Sequence, residues 1–204
     1  MAHHSGDRMD QLQLDDLLAG LRESPLARPH MDSGDDPRLP PYFHKSWGIH
    51  GVGHARRVLL LSLMLAHLNG LGPEEFDLLA QASLYHDIGR THDNTCLIHG
   101  KASYRKMTEL GLINIQEPED REALRLVVET HCIPDREALA AVDTYRFRNT
   151  ERARMLLTIF KDADGLDRVR LGDLNPRYLR NPFARRLVPV SHDLLKLIRS
   201  GRLG

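Results

Sequence analysis

Pro73-Glu74-Glu75-Phe76-Asp77-Leu78-Leu79-Ala80-Gln81-Ala82-Ser83-Leu84-Tyr85-His86-Asp87-Ile88-Gly89 reads as one helix and its end. Proline suits the first helical turn, where its missing N–H is not needed. The two acids that follow sit at the positive end of the helix dipole. Phe76, Leu79, Ala80 and Leu84 recur at helical spacing, and Gly89 closes the segment. The odd feature is His86-Asp87, an acid at the end of a largely apolar helix. If buried, that carboxylate needs a partner, because an isolated buried charge is very costly. A cation is one such partner. A helix-terminal His beside a solvent-edge Asp is the plainer alternative, and the dipeptide alone does not choose between them.

Outward from this segment the chain stays helical. Leu12, Leu14, Leu17, Leu18 and Leu21 predict an amphipathic helix over about 10–22. Five prolines between Pro25 and Pro41, with Gly34 and several Asp, predict an extended linker or loop. Val58, Leu59, Leu61, Ser62 and Leu65 predict a buried helix from about Gly51 to Leu68, stopped by Asn69-Gly70 and Gly72. Residues 89–98 read as loop, and a helix is expected over His99–Leu110. Another follows Glu117-Pro118-Glu119-Asp120 and carries Ala123, Leu124, Val127 and Val128 to His131. Asn149-Thr150-Glu151 opens a helix through Met155, Ile159, Phe160 and Ala163 to about Val169. Residues 172–186 read as loop, and Ser191-His192-Asp193 as the cap of a last short helix. No useful β-type alternation and no internal repeat occur, so the fold class is all-α.

The 204 residues suffice for one domain with a real core, and 41% apolar with 27% charged residues reads as globular. The longest apolar run, Val58–Leu68, is broken by Ser62 and His67 and falls short of the roughly 20 residues a bilayer span needs. The polar start MAHHSGDRMD shows no signal peptide, so a cytoplasmic location is expected. Residues 1–9 are expected to be a disordered or artificial tail, with a single domain over 10–204, its core over about 48–170 and a basic extension over 171–204. Cys96 and Cys132 show no CxxC spacing and no reactive-site signature, and two reduced thiols are expected. Net charge is zero and aromatics are 5%, so neither backbone tracking nor base stacking on nucleic acid is expected, and no membrane partner either. From Arg168 onward nine Lys/Arg face two Asp, a segment that either holds a phosphate-bearing substrate or forms a solvated basic face.

Two further segments give His86-Asp87 its weight. His54 precedes Arg57-Val58 on the helix before it, and Asp164 follows Ala163 on a later, largely apolar helix. Phe160, Asp164 and Asp167 share one face by i+4 and i+3 spacing. Helical bundles bring such ligands from separate helices to one interior point. Two imidazoles and two carboxylates without a thiolate suit Mn, Fe, Ni, Co or Zn. Asp162-Ala-Asp164-Gly165 is not an EF-hand loop, since its Gly falls at the fourth position rather than the sixth. His92-Asp93 is a rival dyad without an apolar helix to orient it, and Asp93 with Arg90 is read instead as the pocket mouth. Gly48, Gly51 and Gly53 lack the strand and Lys-Ser/Thr ending of a phosphate loop.

The order His54…Arg57-Val58, His86-Asp87, Ala163-Asp164 resembles the HD superfamily of metal-dependent phosphohydrolases over about residues 48–170. Ile49-His50-Gly51 and His99-Gly100 resemble a bacterial subgroup of it. The resemblance implies a helical bundle of roughly six to eight helices. It implies one divalent metal held by His54, His86, Asp87 and Asp164, with Asp87 and His86 catalytic. His99 and His131, and His50 one turn before His54, would extend the set toward a second metal or a phosphate. The implied substrate is a phosphate monoester, phosphodiester or nucleotide, with Arg90, Lys101, Arg105, Lys161 and Arg168 as candidates to neutralise it. Some relatives use six ligands for a di-iron oxygenase, and a nucleotide-binding regulatory module without turnover is a third reading.

Overall fold

A computed structural model describes residues 12–201. The expected tail over 1–9, the start of the first expected helix and the last three residues of the basic extension lie outside the described residues. No strand occurs among those described. The α-helices are α1 (Leu14–Glu23), α2 (Val52–Leu68), α3 (Pro73–Tyr85), α4 (His99–Glu109), α5 (Pro118–Thr130), α6 (Asp135–Ala141), α7 (Thr150–Leu166), α8 (Pro182–Arg186) and α9 (Val188–Arg199). Seven of these nine are ten residues or longer; α6 and α8 are the short ones.

Helix α2 is the axis of the bundle. Thirteen of its 17 residues are buried, so it is apolar nearly all round rather than along one stripe. It packs against α3 and α7, and α3 in turn packs against α5. Where α2 meets α3 the Ser83 hydroxyl lies 3.0 Å from Ser62 Oγ and donates to Leu79 O, so both buried hydroxyls are satisfied. The α3 start matches its sequence signal: Gly72 N–H donates to Glu75 Oε2 at 2.8 Å. Helix α7 begins on Asn149, whose Oδ1 accepts from Arg152 N–H at 3.0 Å.

Five expectations need correction. Residues 28–35 form a 3-10 turn rather than an extended linker, with Met31 buried and the turn laid on α2. Residues 135–141 form α6, which was not expected. Residues 172–186 are not all loop, since Asn181 Oδ1 accepts from Phe183 N–H and starts α8. Helix α9 begins at Val188, so Ser191 lies inside its first turn and donates to Val188 O instead of capping. Helix α7 also ends at Leu166 and continues to Arg170 only as a 3-10 turn.

Candidate metal centre

Five helices deliver their chemistry to one buried point. His54 comes from the first turn of α2. His86 and Asp87 follow the last turn of α3, where His86 keeps helical backbone angles. His99 is the first residue of α4, His131 follows the last turn of α5, and Asp164 comes from α7. Close approach of α4 to its neighbours depends on two glycines. A Cβ on Gly100 would meet Val128 O at 2.5 Å and Glu129 O at 2.7 Å. One on Gly89 would meet Ser103 N at 2.2 Å, and Gly89 N–H instead donates to Ser103 Oγ at 2.9 Å.

Each imidazole is oriented through its Nδ1. In His86 it lies 3.1 Å from Ser83 O, in His99 2.7 Å from Cys96 O, and in His131 2.8 Å from Val128 O. His54 Nδ1 lies 2.7 Å from Asp167 Oδ2, a contact that spans 113 residues of chain. Carbonyls and carboxylates only accept, so every Nδ1 donates and every Nε2 is left facing the interior, where it holds either a proton or a metal ion. These nitrogens converge: His54 and His86 Nε2 are 3.0 Å apart, and His99 and His131 Nε2 are 2.9 Å apart.

Asp87 stands between the two pairs. Its Oδ2 lies 3.5 Å from His54 Nε2 and 3.6 Å from His86 Nε2. Its Oδ1 lies 2.9 Å from His99 Nε2 and 3.8 Å from His131 Nε2. Asp164 Oδ1 approaches His54 Nε2 at 3.3 Å and is the most accessible of these ligands. Phe160 packs edge-on against His86 and His131 and closes the apolar side. Facing lone pairs and carboxylate oxygens repel one another unless a proton or a cation lies among them. Three groups here could hold a metal ion: His54, His86 and Asp164; His86, Asp87 and His131; and His99, His131 and Cys132. The donor set therefore fits one or two transition ions.

The protonation pattern agrees. Burial and Arg170 depress the His54 pKa, but hydrogen bonds to Asp164, Asp167 and Asp87 outweigh them and raise it to about 10. Burial lowers His86 to about 3, despite the nearby Asp87. Burial disfavours the Asp87 carboxylate, yet His86 and the hydrogen bonds from His131, His54 and His99 hold it well below the usual carboxylate range. Asp164 is likewise held low against its burial, by His54 first. A second layer stands behind His54. Asp167 accepts from Arg57 Nε at 2.6 Å and Nη2 at 3.1 Å, and lies 3.2 Å from Arg170 Nη1.

A family model described as HD domain matches residues 51–169. That span is more than half of the chain and includes every residue from His54 to Asp167 discussed above. The chain belongs to the HD domain family. No curated protein and no solved structure matches it significantly. Members of the HD domain family are typically hydrolases that bind divalent metals. No helix among the described residues is long and apolar enough to cross a membrane.

The HD centre opens into a cleft of about 420 Å³, lined by His50, Arg90, Cys132, Asp164, Arg168 and Arg170 among others. The structure does not bring every expected residue there. Lys101 and Arg105 are exposed, and Arg105 pairs with Glu109 at 3.8 Å. Lys161 is buried elsewhere, donating to Ile133 O at 2.6 Å and pairing with Asp135 at 3.0 Å, so it pins α7 to the α5–α6 turn. Arg90 donates from Nε to Asp87 Oδ1 at 2.7 Å, and Arg168 pairs with Asp173 at the rim. His50 lines the cleft but joins none of the ligand groups. Its Nδ1 is 3.4 Å from Asp93 Oδ1, and burial lowers its pKa to about 4. Of the rival dyad, His92 is exposed and Asp93 binds Lys45 Nζ at 2.7 Å at the mouth.

Three residues carry more than the sequence reading assigned. Asp167 was placed on the right face without a role, and its burial beside Arg57 supplies one. Arg170 sat unnoticed among the basic C-terminal residues, some of which brace the fold instead of lining the cleft. Arg180, for example, ties Asp162 to Asp135. Cys132 had no signal beyond its position next to His131. A wider groove of about 1040 Å³ lined by Glu119, Arg148 and Arg152 includes none of the centre's residues, and these charges pair among themselves and with Glu75.

Proposed function

We propose that the chain hydrolyses a phosphate ester or anhydride at a two-ion centre held by His54, His86, Asp87, Asp164, His99 and His131. The observation that carries this reading is the position of Asp87, one oxygen toward each imidazole pair. The sequence favoured one ion, with two as its extension; the second buried, converging pair favours two. Divalent ions bound there supply Lewis acidity toward a phosphoryl oxygen and a water acidic enough to ionise near neutral pH.

The chain's own groups do the rest. Asp87 and His86 are the catalytic pair, fixed by burial. Asp164, with its side chain 30% exposed, is the carboxylate placed to orient the water. Arg90, Arg168 and Arg170 set positive charge beside the cleft for the phosphoryl oxygens. Ile49 and Leu171 also line it and stay 46% and 40% exposed, which suits the organic part of a small phosphate ester or nucleotide. Water oxygen attacks phosphorus, the ester P–O bond breaks, and the leaving oxygen takes a proton. The expected setting is a reducing cytoplasm, in which Cys96 and Cys132 stay free of disulfides.

The test is metal analysis of the purified protein together with turnover of an aryl phosphate, a phosphodiester and a nucleotide panel with Mn, Co, Ni, Fe and Zn. Two ions per chain, turnover with redox-inert Zn and its loss in Asp87→Ala are expected. Metal content unchanged in a His86→Ala, Asp87→Ala double variant sinks the assignment. Oxygen consumption with iron and no phosphatase activity would select the oxygenase reading. Nucleotide binding without turnover would select the regulatory one.

A further inference from the structure

Cys132 is the one donor at the centre that the hydrolytic reading leaves idle. It follows His131 directly, lines the cleft and is half-buried. Its thiol donates to Leu97 O at 3.4 Å and also makes a side-chain hydrogen bond with His99. Its Sγ and the ligating nitrogens of His99 and His131 all lie within 4.8 Å of one another. Those two imidazoles are 98% buried, both Nδ1 atoms are committed to carbonyls, and their Nε2 atoms face each other and Asp87 Oδ1. Two nitrogens and one sulfur thus form one group, and Asp87 Oδ1 lies close to both of its imidazole nitrogens. An ion with Zn–N near 2.0 Å and Zn–S near 2.3 Å sets tetrahedral S and N ligands about 3.6 Å apart, within reach of a small side-chain rotation. Cys96 lines the same cleft but belongs to no such group.

We infer that Cys132 binds the second ion as a thiolate, beside His99, His131 and Asp87 Oδ1, releasing its thiol proton to solvent. This rests on the two-ion reading above and adds a ligand to it. A sulfur ligand makes the two half-sites chemically unequal. The His54–His86–Asp164 side offers only nitrogen and oxygen and accepts Mn. The Cys132 side selects Zn, Co or Fe(II).

The test uses the full chain loaded with Co(II). The wild-type protein binds two cobalts and shows a near-ultraviolet sulfur-to-cobalt charge-transfer band. Cys96→Ser keeps the band. Cys132→Ser loses it, and its second cobalt binds about tenfold or more weakly. A measurement on the unsubstituted protein runs in parallel: Zn protects Cys132 from iodoacetamide, while Cys96 labels equally with and without Zn. A two-cobalt protein without the band, a band surviving in Cys132→Ser, or equal labelling of Cys132 with and without Zn overturns the role of Cys132 alone. A protein that takes up one cobalt overturns the two-ion reading, and this inference with it.

Discussion

Asp167 shows how a residue outside the ligand set governs it. It is buried, accepts a bidentate guanidinium from Arg57 and orients His54. Burial opposes its charge, but hydrogen bonds from His54 and Arg57 lower its pKa below the usual value. A depressed folded-state pKa contributes stability that is complete above the ordinary aspartate range and is lost as pH falls through the folded value. Asp167→Asn in metal-free protein is expected to cost about 3–5 kcal/mol at neutral pH, because it leaves Arg57 uncompensated. The gap should close as pH falls below about 4, read from urea midpoints across that range. At the cleft rim the contrast is between Arg168 and Lys101. Losing a charge-assisted hydrogen bond is worth roughly tenfold, so Arg168→Ala should raise KM for a phosphate ester by about that factor. Lys101→Ala should leave it unchanged.

At the scale of elements, the start signals of α3, α5 and α7 were legible because each has a local cause: Pro73, Pro118 or Asn149 in a position that only a helix start favours. The elements that escaped lack such a cause. Helix α6 buries only Ala138, so no apolar period marks it. Helix α8 is one short turn between prolines, and its cap on Asn181 resembles any loop Asn. The candidate ligands His54, His86, Asp87 and Asp164 were readable as an ordered set, whereas the direction of Lys161 was not, since one register step on α7 turns a side chain from cleft to core. Gly100 is the element-scale lever. Gly100→Ala forces α4 away from the α5 carbonyls and should cost about 1–3 kcal/mol. It should also empty the His99–His131 half-site while the other ion stays, which melting curves and metal counts check together.

For the molecule as a whole, ions bound at the proposed centre would replace protons. His54 is held protonated near neutrality, with its pKa raised to about 10, so metal uptake must displace that proton. Apparent metal affinity should therefore rise about tenfold per pH unit between pH 6 and 8 for one proton released. Calorimetry in buffers of different ionisation enthalpy measures the proton count; pH-independent affinity would contradict the assigned state of His54. Chelation should lower the melting temperature, since a ligand at a thousand times its Kd stabilises by about 4 kcal/mol.

The contact of His54 with Asp167 across 113 residues has a consequence for how the protein is made. Synthesis is vectorial, and domains assemble as their residues emerge. A nascent chain that ends before α7 already carries all four converging imidazoles and Asp87, but neither Asp164 nor the Asp167–Arg57 brace behind His54. Such an intermediate can gather ions loosely and cannot fix their geometry. Assembly of the candidate centre therefore waits for α7, which is made after every other element that contributes to it.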